Sequence, residues 1–478
     1  MEQKPLSGVL AGALVFGSSG AVLVVEIIAA RLLAPYVGLD IETYTTIIGV
    51  VLAGISVGAW LGGRAADLVD PRLLLGPMLV LGGLTTAGAV PLVQLLGEAG
   101  DGSGLALAAI TVAAFFLPAA LLSTITPLVI KLQLRALEET GGIVGRFSAL
   151  GTVGALLGTF LTGFVLIPLA STSDLMVGLG ALLAVCGSLL LFGAGVRMAP
   201  LLAIPLAAGA VAISLAGGPR CDVESVYSCA RIVLDPERAG GRTLYLDDVR
   251  NSYVALDDPT HLEWEYLRRF VDLVDQRWPE GEPLRALHIG GAGFTFPRYL
   301  EAVRPGSRST VLEIDPELVK LAESELGLRR DEDLEVRIGD GRRSIGELEG
   351  ERFDLIVGDA FSGRSVPWQL TTTEAVDPIR ERLERDGLYL MNLIDGEPWD
   401  LTRAEVATLR QSFEHVGAYL PGDDTYGNVA LVASPEPLAV ATVPGARYLA
   451  GAELERFTGD IDPLRDDFAP VEQLRGRP

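Results

Sequence analysis

The chain has 478 residues, more than one ordinary domain holds, and its formal net charge at pH 7 is −23. Residues 1–220 contain only 9 of the 38 Lys and Arg residues and 11 of the 61 Asp and Glu residues, so the acidity lies almost entirely after residue 220. This acidity argues against nucleic acid as a partner, because phosphates are bound by Lys and Arg. A solvated acidic surface and a cationic ligand are both compatible with it.

Apolar runs long enough to cross a bilayer as helices dominate residues 1–220. They lie at Leu10–Leu32, Thr45–Leu61, Leu74–Leu96, Leu105–Leu132, Phe147–Leu169, Leu175–Phe192 and Leu201–Leu215. The last run is short and contains Pro205, so the sequence predicts a multi-pass transmembrane domain at 1–220 with six or seven helices.

The basic residues between these runs predict the orientation in a cell membrane. They follow the second, fourth and sixth runs: Arg64, Arg72, Lys131, Arg135, Arg146 and Arg197. The N-terminus is therefore expected inside. Six spans would leave the second half of the chain in the cytoplasm, which we favour, and seven would place it outside.

Two features within and just after this first half leave alternatives open. Cys221 and Cys229 follow the last apolar run and are expected to be thiols, whereas a disulfide between them would indicate a location outside the cytoplasm. Glu26 lies inside the first run, five residues before Arg31. A carboxylate in a span is costly, so Glu26 either pairs with Arg31 or marks an ion or substrate pathway.

Strand patterns at Arg231–Leu234 and Thr243–Leu246 predict a small β region at 221–260. A helical stripe follows from His261 to Trp278, and strand and helix patterns then alternate. Such alternation is typical of a parallel, doubly wound sheet. We therefore predict an α/β Rossmann-like domain at 261–440, followed by a C-terminal tail at 441–478.

The segment Leu287–Arg298 reads LHIGGAGFTFPR, in which a strand ends at Gly290 and a helix begins near Pro297. Glycines in such a first strand-to-helix turn let a nucleotide approach the backbone closely. Gly290 and Gly291 are therefore candidate ligand-binding residues.

Three carboxylates follow the next three predicted strands. Glu313 ends the strand VLEID, Asp340 follows the strand RIGD, and Asp359 ends the strand LIVGD. Ligands of open α/β sheets bind at these carboxyl ends, and an acid about 20 residues beyond the glycines can bind both ribose hydroxyls. A helix cap is the alternative for Asp340. Because no phosphate-binding loop is present, the pattern favours a nucleoside.

The motif order resembles that of the spermidine synthase (polyamine aminopropyltransferase) family, in particular its membrane-fused, multi-pass branch. The motifs are GGxG at 290–293, EIDP at 313–316, GDGR at 339–342, GDAF at 358–361 and VPxxLTT at 366–372. The resemblance covers about residues 222–413. It implies a Rossmann-like fold of the S-adenosylmethionine-dependent methyltransferase type.

The resemblance implies a transferase of polyamine biosynthesis that moves an aminopropyl group from decarboxylated S-adenosylmethionine to an amine such as putrescine, without a metal. Its implied residue roles are ribose binding by Glu313, adenine binding by Asp340 and Gly341, a covering loop at Pro367, proton abstraction by Asp359, and amine binding by Asn251 and His261. The expected partners are a small-molecule amine and the lipid bilayer, with a homodimer left open.

The chain departs from the family pattern on the amine side. The aspartate that the family carries in its glycine turn is Gly293 here, and no second acid follows Asp359. Two alternatives therefore stay open: transfer of a methyl or other alkyl group from S-adenosylmethionine to another acceptor, and a membrane transporter or sensor whose soluble half binds ligand.

Overall fold

The computed structural model describes residues 6–38, 41–99, 104–134, 139–193, 221–422, 425–438 and 445–476. The chain divides into two compact units, Met1–Cys221 and Asp222–Pro478. The helical first unit and the α/β second unit are described separately below.

Within its described residues, the first unit contains six helices that are long and apolar enough to cross a membrane. They are α1 (Gly8–Val37), α2 (Ile41–Leu68), α3 (Pro71–Gly97), α4 (Gly104–Gln133), α5 (Thr140–Leu169) and α6 (Thr172–Phe192). The first six predicted runs lie inside these helices. The seventh, Leu201–Leu215, lies outside the described residues.

Glycines bring the backbones of paired helices into contact. A Cβ atom on Gly58 of α2 would lie 2.0 Å from the carbonyl oxygen of Ala120 in α4, and one on Gly154 of α5 would lie 2.2 Å from that of Phe16 in α1. Any side chain there would separate the helices. In a bilayer such close packing replaces the hydrophobic drive, as the density of small residues in the sequence indicates.

The second unit begins with a four-stranded antiparallel sheet in the order β1-β2-β3-β4. Its strands are β1 (Val223–Glu224), β2 (Cys229–Leu234), β3 (Gly241–Leu246) and β4 (Val249–Ala255). Both predicted strands of the small β region are present, as β2 and β3. Cys221 and Cys229 are disulfide-bonded and Cys186 is free, so the expectation of thiols at the first two positions was wrong.

An eight-stranded sheet forms the rest of this unit, in the order β12-β10-β11-β9-β8-β5-β6-β7. Its strands are β5 (Arg285–Ile289), β6 (Arg308–Glu313), β7 (Leu334–Ile338), β8 (Phe353–Gly358), β9 (Leu383–Gly396), β10 (His415–Pro421), β11 (Tyr426–Ser434) and β12 (Ala446–Ala450). The helices are α7 (Glu265–Arg277), α8 (Thr295–Val303), α9 (Pro316–Glu325), α10 (Gly341–Glu347), α11 (Thr373–Arg382), α12 (Asp400–Leu409), α13 (Gly451–Thr458) and α14 (Val471–Leu474).

The fold is Rossmann-like, but its sheet is mixed and not parallel throughout as predicted. Strands β5 to β9 pair in parallel, whereas β10 to β12 pair antiparallel with their neighbours. The connection from β10 to β11 is too short for a crossover and can join only antiparallel strands. Strand β12 lies within 441–478, the range predicted as a tail.

Apolar side chains cover both faces of this sheet. In β5, Leu287 and Ile289 belong to one buried cluster and Ala286 to another on the opposite face, as alternation along a strand requires. With both faces covered, polar groups that bind ligand collect at the carboxyl ends of the parallel strands. The candidate site lies at this edge.

Candidate active site

The turn after β5 requires glycine at its first position. Gly290 has φ +98°, and a Cβ atom there would lie 2.5 Å from the carbonyl oxygen of Asp359. The turn continues through Ala292 and Phe294, which also have positive φ values of 44° and 53°. Non-glycine residues in this region are strained, and such strain concentrates at functional sites.

Glu313, at the end of β6, holds this turn in place. One carboxylate oxygen accepts hydrogen bonds from the backbone N–H groups of Gly291 (2.8 Å) and Ala292 (3.1 Å), and the other accepts one from Asp315 (2.9 Å). Glu313 is buried, which raises the pKa of its carboxyl group, while these three hydrogen bonds lower it in part. A carboxylate has about four acceptor positions, and these hydrogen bonds occupy three of them.

Asp359 follows β8 and is fixed by two side-chain donors. Its Oδ2 accepts a hydrogen bond from the Tyr266 hydroxyl of α7 (2.8 Å), and its Oδ1 accepts one from Asn392 Nδ2 of β9 (2.9 Å). Asn428 of β11 donates in turn to Asn392 Oδ1 (3.0 Å), which fixes the orientation of that amide. Four separate elements thus determine the position of this carboxylate.

Burial raises the pKa of the Asp359 carboxyl group, while the hydrogen bonds from Asn392 and Tyr266 lower it in part. The pKa of Tyr266 is raised well above its usual value by burial and by the neighbouring Asp359 charge. Tyr266 therefore stays a hydrogen-bond donor at neutral pH. A carboxylate with a raised pKa at the edge of a cavity is suited to proton abstraction.

We expect Tyr266→Phe to raise the pKa of Asp359 further, because one of its two donors is lost. A base must be ionised to act, so the acid limb of the kcat/KM profile should move to higher pH. Activity at neutral pH should fall about tenfold, within the range of a hydrogen bond to a charged group. The measurement is a pH–rate profile, with Tyr389→Phe as the control. Tyr389 is also buried but is not bonded to Asp359, and an equal shift in both variants would contradict the assignment.

A cavity of about 810 Å³, open solvent included, lies in front of Asp359. Its apolar lining includes Trp264, Leu267, Phe296, Val357, Phe361 and Ile394. Its polar lining includes Arg250, Asn251, Ser252, His288, Thr295, Asn392 and Asn428.

The predicted site residues divide between this cavity and its surroundings. Gly290, Gly291, Asn251 and Asp359 are among the described lining residues, whereas Glu313, Asp340, Gly341, Pro367 and His261 are not. Asp340 is the N-cap of α10 and accepts a hydrogen bond from the Arg343 N–H (3.0 Å), which is the alternative noted for it.

His261 contacts charged residues outside the described cavity lining. Its Nδ1 lies 2.8 Å from Arg238 Nη1, and its Nε2 lies 3.2 Å from a carboxylate oxygen of Glu263. His288 lines the cavity but is 2% exposed, and burial lowers its pKa to about 3. It is therefore a neutral imidazole in the core of the sheet.

Sequence reasoning missed Tyr266, Asn392 and Asn428. Tyr266 belongs to the apolar stripe of a helix, and the two asparagines interrupt buried strands. An isolated amide in an apolar strand is a recognisable signal, since a buried amide needs partners. Its partner is set by the pairing of β9 with β11, which the sequence does not reveal.

The fold, with a buried carboxylate at its strand ends, defines a Rossmann-like domain with a candidate ligand site. The chain is 31% identical over 213 residues to a polyamine aminopropyltransferase of Vibrio vulnificus, a match that covers 41% of this chain and 71% of that protein. It is 27% identical to the polyamine aminopropyltransferase of Chromobacterium violaceum, covering 41% of this chain and 74% of that protein. This chain belongs to the polyamine aminopropyltransferase (spermidine synthase) family.

Other comparisons are less extensive. An eEF1A lysine and N-terminal methyltransferase of Danio rerio is 32% identical over 24% of this chain but only 18% of that protein. A probable spermidine synthase of Corynebacterium glutamicum has a solved structure with a TM-score of 0.47 and 25% identity, covering 51% of this chain and 95% of that one. No protein-family model matches the chain.

Proposed function

We propose that the second unit transfers an aminopropyl group from decarboxylated S-adenosylmethionine to an amine, with Asp359 as the base. The observation that carries this proposal is the buried Asp359 carboxylate, held by Tyr266 and Asn392 at the edge of the cavity. Membership of the polyamine aminopropyltransferase family supports the same reaction.

In the proposed step the acceptor arrives as an ammonium ion and loses one proton to Asp359. The neutral nitrogen then attacks the aminopropyl carbon next to the sulfonium. The new N–C bond forms as the C–S bond breaks, and the sulfur keeps the bonding electron pair as the thioether of methylthioadenosine. The product is a secondary ammonium ion, so each turnover releases one proton. The positive sulfur makes this leaving group effective by itself.

We assign the nucleoside to the glycine turn and its neighbours. Gly290 and Gly291 allow close approach of the donor, and the remaining acceptor position of Glu313 would bind a ribose hydroxyl. Asp340 and Gly341, at the start of α10, would contact the adenine, and Pro367 would cover it. Each of these roles is carried over from the family pattern.

On the amine side, the proposal gives Asn251 a direct role and His261 an indirect one. Asn251 lines the cavity, whereas His261 acts through Glu263 and Arg238. Among the residues that the structure describes, no group of three or more His, Cys, Asp or Glu side chains is arranged to hold a metal ion.

A second candidate function is methyl or alkyl transfer from intact S-adenosylmethionine. The observation that favours it is Gly293, which offers no carboxylate to an ammonium group. A Cβ atom there would lie 2.6 Å from Ser252 Cβ, so β4 occupies the space that a side chain would need.

Calorimetric titration of the detergent-purified chain separates the two candidates. We expect decarboxylated S-adenosylmethionine and methylthioadenosine to bind more tightly than intact S-adenosylmethionine. Tighter binding of the intact form would support alkyl transfer instead. Absence of binding by all three compounds would contradict both functions.

We further propose that the α/β unit faces the cytoplasm. Six membrane-crossing helices would return the chain, at Phe192, to the side of its N-terminus, and a cytoplasmic nucleoside donor can reach the site only there. The disulfide-bonded Cys221 and Cys229 are the observation against this orientation, because disulfides persist in oxidising compartments. We expect a membrane-impermeant thiol reagent to leave a cysteine introduced at exposed Asp386 unlabelled in intact cells. Labelling at that position would contradict the cytoplasmic orientation.

A further inference from the structure

The described lining of the cavity contains one acidic and one basic side chain. Among its described lining residues, Asp359 is the single carboxylate and Arg250 is the single Lys or Arg. If Asp359 takes up the proton of the attacking amine, no other acid among these residues is available to pair with a second ammonium group. A diamine acceptor would therefore bring a second positive charge into a lining that already contains a guanidinium and contains no acid besides Asp359.

Arg250 is held at the cavity but is not neutralised strongly. Its guanidinium lies over the Trp264 ring, 4.5 Å from the ring centre. Its ion pair with Glu263 is long, at 3.6 Å, and the two side chains are 41% and 38% exposed. Exposed pairs of this kind contribute little free energy, so a carboxylate that enters the cavity can compete for Arg250.

The wall of the cavity fits an uncharged linker. Trp264 directly precedes α7, which contains Leu267, and Ile394 lies on β9 with Asn392. Methylene groups between two charged ends would contact these apolar side chains, which favours burial of the linker. The polar groups are then left for the two ends of the acceptor.

We propose that the acceptor is an amino carboxylate whose amine faces Asp359 and whose carboxylate pairs with Arg250. This inference rests on the proposed aminopropyl transfer and specifies its second substrate. A guanidinium and a carboxylate form two parallel hydrogen bonds. The second ammonium group of a diamine has no acceptor atoms and cannot form these bonds with Arg250. Arg250 is thus the residue that selects the acceptor class.

The test compares acceptors of equal length in methylthioadenosine release by the full-length chain with decarboxylated S-adenosylmethionine. The set is 4-aminobutyrate, butylamine and putrescine, with the homologues that have one more and one fewer methylene. We expect the amino carboxylates to have the highest kcat/KM, the monoamines to be intermediate and the diamines to be lowest. A diamine or monoamine as the best acceptor would overturn the inference.

Charge reversal supplies the second part of the test. Arg250→Glu should lower kcat/KM for the preferred amino carboxylate about tenfold or more, the size of one lost ion pair of about 1.4 kcal/mol. The same variant should raise kcat/KM for the matching diamine. The control is Arg231→Glu, because Arg231 also lies over an aromatic ring, Tyr245, but does not line the described cavity. Equal changes in both variants would overturn the role of Arg250.

The outcomes separate this inference from the proposed function. Turnover of diamines alone would remove the acceptor assignment and leave aminopropyl transfer intact. If no acceptor in the set supports release of methylthioadenosine, both the acceptor assignment and aminopropyl transfer are overturned. Tight binding of intact S-adenosylmethionine that is lost in Arg250→Glu would assign Arg250 to the donor's carboxylate, and would also overturn both.

Discussion

Asp359→Asn is expected to abolish aminopropyl transfer while leaving donor binding intact. The asparagine has nearly the same shape, but it cannot take a proton from the attacking amine. Loss of a general base lowers kcat by about 10²- to 10⁴-fold. The measurements are single-turnover release of methylthioadenosine and calorimetric binding of the same compound.

A matched substitution separates chemistry from folding. Asp386→Asn makes the same change at an exposed position of β9, the neighbouring strand, and should leave kcat unchanged. Turnover by Asp359→Asn at the rate of the native chain would contradict the assignment of Asp359 as base. Loss of nucleoside binding in that variant would instead indicate that Asp359 contacts the donor.

Glu405→Met is expected to stabilise the α/β unit. Glu405 lies in α12 and is fully buried, and neither carboxylate oxygen has a hydrogen-bond partner among the described residues. An unsatisfied buried polar group costs about 1–3 kcal/mol, and methionine fills a similar volume without that cost. A unit of this size should gain several degrees in Tm, at about 2–4 °C per kcal/mol.

The stabilisation by Glu405→Met should increase as the pH rises. Burial raises the pKa of Glu405 well above its usual value, so the folded state binds the proton more tightly than the unfolded state. Stability is then highest below the unfolded pKa of about 4.3 and falls as pH rises through the window up to the folded pKa. Glu405→Met should remove this decline.

The readout is thermal unfolding of the full chain in detergent from pH 5 to pH 8, following the transition of the α/β unit. Glu414→Met is the control, because Glu414 is exposed. Its free energy of unfolding should change by no more than about 0.5 kcal/mol, as is usual for surface substitutions, so its Tm should hardly change. A lower Tm for Glu405→Met at pH 8 would show that Glu405 has a stabilising partner in solution.

The membrane-spanning helices and the parallel strands are features that the local sequence determines. An apolar run such as Phe147–Leu169 predicts a helix because its length and hydropathy are properties of consecutive residues. Strands such as β5 and β6 are identified for the same reason, since their apolar runs end in glycine or an acid. The carboxylates Glu313 and Asp359 were found because the carboxyl ends of parallel strands share one edge.

What lies beside those carboxylates was decided by tertiary structure. Tyr266 is 93 residues from Asp359 in the chain, and Asn428 is 36 residues from Asn392, yet each pair is hydrogen-bonded. The position of Arg250 over Trp264 likewise depends on how the small sheet meets α7.

By itself the sequence determined the helical and α/β halves, the glycine turn and the strand-end acids. Only the tertiary structure decided which side chains fix Asp359 and which charged residue lines the same cavity, because strand pairing and helix docking join residues far apart in the chain.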